Sequence, residues 1–198
     1  MPDDLLMADT DETGGRHLDR GRPLELYTDP MYVVCPKCES RAVSVPRPGL
    51  PELRYYSESR FRPRRLTCGA CGATRDWTAA REGNALVGVR LGGPDDPFFG
   101  LPLWLQTPCR GEVLWAYNER HLDALEAHVA ATLREHVRPM GMLGRLPAWI
   151  KAAGNREDVL KAIGRLRAQH ADPGERPAAA YGHETPRRTA DLYFREPY

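Results

Sequence analysis

The sequence has no run near the roughly 20 consecutive apolar residues that a membrane-spanning helix needs, and its longest apolar stretch is Phe98-Phe-Gly-Leu-Pro-Leu-Trp-Leu. It also lacks a secretory start. The opening Met1-Pro-Asp-Asp-Leu-Leu-Met-Ala-Asp is acidic where a signal peptide is basic and then apolar. A cytoplasmic protein without membrane contact is therefore expected. Lysine is scarce: three of the 28 basic residues are lysine, namely Lys37, Lys151 and Lys161. Such a bias reflects genome base composition as readily as function, so arginine abundance by itself says little about nucleic acid. No catalytic constellation is visible either. The six histidines have no serine elbow, carboxylate pair or glycine-rich phosphate loop beside them, and Gly92-Gly93 reads as a turn. His121 and His128, seven apart on one helical face, read as surface or boundary residues. An enzyme is not expected.

What is present is unevenly distributed. Residues 1–30 hold eight acids and three arginines, a net of −5, while residues 31–81 hold ten basic residues and four acids, a net of +6. That split points to an anionic partner for the middle segment or to its pairing with the acidic head. Residues 1–25, poor in aromatics, read as disordered, with order beginning near Tyr27. Residues 26–81 form a first unit, 82–170 a hairpin followed by helices, and 171–198 a tail ending in the aromatic-rich Leu192-Tyr-Phe-Arg-Glu-Pro-Tyr198.

The chemistry concentrates in four of the five cysteines. Cys35-Pro-Lys-Cys38 and Cys68-Gly-Ala-Cys71 are two Cys-x-x-Cys turns separated by 29 residues. Each such turn offers two sulfurs to one ion, and Zn²⁺ takes four of them in a tetrahedron at about 2.3 Å. Gly72 permits the left-handed backbone that completes the second knuckle. One structural zinc is expected. Iron suits the same four-sulfur set, and a redox dithiol is the remaining alternative. No open coordination position is implied, so catalysis at the metal is not expected. Cys109 is left over and reads as a buried free thiol.

The pattern around the cysteines is strand–knuckle–strand. Met31–Val34 leads into the first pair, residues 47–51 form a proline-rich loop, Arg64–Thr67 leads into the second pair, and Thr74–Thr78 leads away. Ala85–Leu91 reads as a further strand, and residues 98–106 with Gly111–Tyr117 as a hairpin. Beyond it the period changes: Asn118 caps a helix carrying Leu122, Leu125, Val129 and Leu133, stopped by Pro139 and Gly141. Pro147 opens a short helix, and Asn155 caps another with Val159, Leu160, Ile163 and Leu166 on its apolar face. The fold class is α+β: a zinc ribbon with a small antiparallel sheet, plus C-terminal helices.

Between the cysteine pairs lies a segment in which arginine and aromatic residues alternate: Arg54, Tyr55, Tyr56, Arg60, Phe61, Arg62, Arg64 and Arg65. These suit phosphate contact and base stacking on DNA or RNA. They equally suit a ribbon strand whose rings pack inward while its arginines are solvated, leaving the protein a scaffold that binds another protein.

The cysteine pairs, Pro97–Gln106, Leu114–Asn118, Leu146–Ala153 and Asn155–Leu160 together look like bacterial proteins described as transcription-factor-IIB-type zinc ribbon-containing. The likeness spans roughly residues 30–167. It implies a ribbon and a zinc held by Cys35, Cys38, Cys68 and Cys71, and no activity.

Overall fold

A computed structural model describes residues 15–136 and 141–172, and the backbone of Tyr193–Arg195. The chain is a mixed α+β protein with antiparallel sheets and a C-terminal helix. The first strand, β1 (Arg16–Asp19), lies inside the segment expected to be disordered. Its partner, described below, is more than a hundred residues away, which local composition cannot reveal. Residues 1–14 of that segment, and nearly all of the tail, lie outside the described residues.

The central sheet comprises β2 (Met31–Val34), β3 (Arg41–Pro46), β4 (Arg64–Cys68) and β5 (Thr74–Trp77), all antiparallel and adjacent in that order. Alternation fixes its faces: Met31, Val33, Ala42, Ser44, Arg64, Leu66 and Cys68 are buried while Arg65 and Thr67 face outward. A second small sheet holds β6 (Ala80–Glu82) and β7 (Ala85–Val87). The strand expected to run to Leu91 stops at Val87. Gly88 sits against the Phe61 ring, where a Cβ would come within 2.6 Å of Cε1, and Val89 N–H turns to Arg60 O at 3.0 Å.

The expected hairpin is β8 (Leu105–Cys109) with β9 (Glu112–Ala116). Before β8, residues 102–104 run along the free edge of β2. Val34 N–H donates to Pro102 O, Trp104 N–H to Tyr32 O, and Tyr32 N–H to Tyr117 O, at 2.8–3.0 Å. The central sheet is thus embedded in the body of the protein. Its core is continuous with that of the helices: Met31, Val33, Cys35 and Cys68 belong to one buried cluster with Leu103, Trp104 and Ile163.

The next element, α1 (Glu119–Ala130), starts as expected, with Asn118 Oδ1 accepting His121 N–H at 3.0 Å and Leu122, Leu125 and Val129 buried. It ends sooner than its apolar spacing implies. Thr132 and Leu133 N–H both turn to Gly15 O, and Leu133 is exposed as the first residue of β10 (Leu133–His136), which pairs in parallel with β1. Arg134 donates to the helix-terminal Val129 O at 3.1 Å. Tertiary pairing here overrides helical periodicity, as it often does at a β-branched position such as Thr132. The stop expected at Pro139 falls outside the described residues.

Two helices follow, α2 (Ala148–Lys151) and α3 (Arg156–Ala171). Asn155 does precede α3, but its side chain donates to Trp149 O and makes no cap. Val159, Ile163 and Leu166 bury against α1 and β8. The far end of α3 is tied to the central sheet, since Arg41 donates to His170 O at 2.9 Å and Gln169 Nε2 to Trp104 O at 2.6 Å. From the tail, β11 (Tyr193–Arg195) pairs antiparallel with β7, so this part of it docks on its own chain. Among the described residues no helix is long and apolar enough to cross a membrane.

Candidate metal centre

Two turns at one end of the central sheet face each other. The first joins β2 to β3 and carries Cys35 and Cys38; the second joins β4 to β5 and carries Cys68 and Cys71. Their backbones repeat one pattern. Cys35 N–H donates to Ser40 O and Glu39 N–H to Cys35 O; in the second turn Cys68 N–H donates to Ala73 O and Gly72 N–H to Cys68 O, each at 2.9 Å. The residue after each second cysteine is left-handed, with φ of 62° at Glu39 and 70° at Gly72. The glycine was legible in the sequence. Glu39 was not, because a glutamate seldom takes this conformation, yet superimposing the two Cys-x-x-Cys-x patterns would have pointed to it.

The four Sγ atoms lie within 4.8 Å of one another. Cys35 Sγ is 3.7 Å from Cys71 Sγ, and Cys38 Sγ is 3.6 Å from Cys68 Sγ. Both contacts are far longer than a disulfide of about 2.05 Å. They agree with the edge of a sulfur tetrahedron, about 3.8 Å for metal–sulfur bonds of about 2.3 Å. The donor set therefore fits one tetrahedral ion, of either metal that four thiolates accept. Cys35 and Cys68 are buried and join the hydrophobic core, while Cys38 is exposed and Cys71 lies between. Lys37 N–H points at Cys35 Sγ at 3.4 Å, the amide approach that offsets thiolate charge.

Without an ion the four thiols compete for protons. The Ser40 amide and hydroxyl, with Cys71, bring Cys38 down to about 6. The Ala73 amide pulls Cys71 the same way, but hydrogen bonding with Cys38, together with burial, pushes it up to about 11. A divalent cation removes this competition by allowing all four sulfurs to be thiolates, so its binding releases protons. Cys109 is remote, its thiol pushed up by burial and directed at Asp158 O at 3.7 Å.

Gly72 is a clean probe of knuckle geometry, because a Cβ placed there meets nothing within 4 Å. Gly72→Ala should therefore cost only the backbone penalty of a left-handed residue, about 1 kcal/mol. Denaturant unfolding at constant metal content would measure it. A neutral result would mean that the turn relaxes without cost.

The arginine- and aromatic-rich segment is scattered by the fold. Arg64 has no exposed side-chain surface and makes four hydrogen bonds: to Ser44 Oγ, Ser44 O, Thr28 O and Asp29 Oδ1, at 2.7–3.0 Å. Its guanidinium also lies 4.6 Å from the centre of the Phe98 ring. Arg60 pairs with Glu25, Arg62 donates to Leu50 O and Pro51 O, and Arg65 forms a two-pronged pair with Asp76. Phe61 is half-buried against Gly88. Arg54, Tyr55 and Tyr56 alone remain as an exposed group, Tyr55 with 70% of its surface open and Leu53 beside it. Two of the ion pairs, Glu25–Arg60 and Asp29–Arg64, join the acidic head to the basic middle. Part of the charge asymmetry is thus spent within the chain.

His121 and His128, expected near the surface, are both buried. The face they share on α1 is turned inward by β1 and β9. In comparisons with protein-family models, with curated proteins and with solved structures, nothing matches this chain.

Proposed function

We propose that Cys35, Cys38, Cys68 and Cys71 hold one structural Zn²⁺ in a ribbon, and that the protein is a non-catalytic interaction module whose partner is another protein. The metal reading rests on the tetrahedral spacing of the four sulfurs. Four thiolates fill the coordination sphere, so no position is left for substrate. Reduced, metal-bound cysteines suit a reducing compartment such as the cytoplasm. The partner reading rests on one observation: three of the five exposed large apolar residues, Leu53, Tyr55 and Tyr56, sit together around Arg54. Tyrosine and arginine are the residue types that most often anchor protein interfaces. Nucleic acid is disfavoured because Arg60, Arg62, Arg64 and Arg65 are engaged internally.

A titration of the zinc-loaded protein with single- and double-stranded DNA and RNA at two salt concentrations tests this. The segment offers one free guanidinium, so any binding that depends on it should show a salt slope of about one or less. A photo-crosslinker at Tyr55 should capture a discrete protein from lysate, and the same group at Glu82 should not. Binding with a slope near four, lost on replacing Arg54, Tyr55 and Tyr56, would instead make the segment a nucleic-acid surface.

A further inference from the structure

On the body of the protein, away from the cysteines, lies a cavity of about 790 Å³, within the size range of small-molecule sites. Its walls come from β9, α1, α2 and the residues around Leu24, Leu91 and Met142. The Met142 wall is fixed in place. Met142 N–H donates to Arg22 O at 2.8 Å, and Gly141 packs on the backbone of Gly21 so closely that a Cβ would come within 2.5 Å of its Cα. Trp115, Trp149 and Leu125 supply an apolar, largely aromatic lining.

One polar group in this lining is unspent. His121 is 2% exposed and held by ring contacts to Tyr27, Trp115 and Tyr117 at 5.3–5.6 Å. Its Nδ1 accepts Tyr117 N–H at 3.3 Å, so Nε2 carries the proton, and Nε2–H has no hydrogen-bond partner among the described residues. Burial drives the imidazole down to about 3, so it is a neutral donor at ordinary pH. The other ionic groups inside are already paired, Glu25 with Arg60. Arg145 and Glu112 stand exposed at the rim with no ion pair among the described residues, one of each sign. A charged occupant would find no counter-charge in the interior and would be costly to desolvate. An uncharged one with an acceptor atom would satisfy the buried donor.

We infer that this cavity binds an uncharged, planar heteroaromatic molecule, stacked between the tryptophans, with a ring acceptor taking the hydrogen bond from His121 Nε2–H. The site is independent of the cysteines and of the Tyr55 surface.

The test uses full-length, zinc-loaded protein at pH 7.5 and three probes of one shape: isoquinoline, naphthalene and 1-naphthoate. Calorimetry should show isoquinoline binding one-to-one, about tenfold or more tighter than naphthalene, the difference expected of one buried hydrogen bond. 1-Naphthoate should bind more weakly than isoquinoline. Val113→Trp, which places an indole on the wall next to Trp115, should abolish binding of all three. His121→Phe should make isoquinoline and naphthalene equal. Because that variant leaves Tyr117 N–H without its acceptor and risks unfolding, the wild-type ¹⁵N resonance of His121 Nε2 provides a second reading. It should move with isoquinoline and stay with naphthalene. Absence of saturable binding, equal affinity for the two neutral probes, preference for the anion, or binding that survives Val113→Trp would each overturn the inference.

Discussion

Cys68→Ser should lose the metal and with it the central sheet. Cys68 ends β4, pairs with Ala42 across the sheet, and is buried in the core that the sheet shares with the helices. Removing it deletes one of four zinc ligands and puts a hydroxyl among apolar side chains. Structural zinc contributes about 10–16 kcal/mol of apparent binding free energy in small zinc domains, and that energy is folding energy. A loss well above about 4 kcal/mol, the upper end of ordinary substitutions, is therefore expected. The measurement is zinc content by elemental analysis alongside thermal unfolding, with Cys109→Ser as the comparison. Cys109 is also buried, but its replacement should leave one zinc per chain. Full occupancy and an unchanged melting temperature in Cys68→Ser would refute the metal assignment.

The second large effect is expected at Arg64, for reasons unconnected with nucleic acid. Its guanidinium joins the central sheet at Ser44 to the Thr28–Asp29 turn, and Phe98 covers it. Arg64→Ala would strand the buried Thr28 and Ser44 carbonyls and leave a cavity under Phe98. Breaking a buried charged pair by removing one partner costs about 3–5 kcal/mol; the half-exposed Asp29 can rehydrate, which sets the expectation at about 3 kcal/mol. Arg64→Lys should recover only part of this. One ammonium cannot reproduce a planar fork that reaches Ser44, Thr28 and Asp29 together. Urea midpoints at equal zinc content decide the matter. A shift under about 0.5 kcal/mol, typical of surface positions, would mean that the site repacks freely.

Arg64 also shows where sequence reading stops. Its neighbours Arg62 and Arg65 have the same side chain and lie in the same charge run, yet alternation along β4 buries Arg64 and exposes Arg65. The hydrophobic pattern of the strand contained that period, with Leu66 and Cys68 on the same face, but an arginine at a core position is too uncommon to be assumed. Its acceptors come from residues 28–29 and 44, which only the fold assembles. The cysteine cluster was legible for the opposite reason. Two local turns each present two sulfurs, so spacing alone identifies the donor set. The strands flanking the knuckles and the hairpin of residues 105–116 were equally local and fell where expected. Elements defined by distant partners were missed: β1 inside the acidic head, and β10 where apolar spacing continued the helix. The cavity was invisible for the same reason, since its walls come from separate stretches between Pro23 and Ile150.

The pairing of β1 with β10 bears on the order in which the molecule can assemble. Arg16 aligns with Leu133, so 117 residues separate the partners, and the strands are parallel. The two cysteine pairs, by contrast, are about 30 residues apart and linked by consecutive antiparallel strands. Contacts between distant segments must overcome a larger loop-closure entropy before they contribute any stability, and parallel pairing is slow to form. On a growing chain the knuckles can capture their ion once residue 71 has been made. The N-terminal strand, though synthesised first, has nothing to pair with until residue 133 follows. The beginning of the polypeptide is therefore among the last parts of the architecture to be fixed, fastened to a body that the metal has already begun to organise.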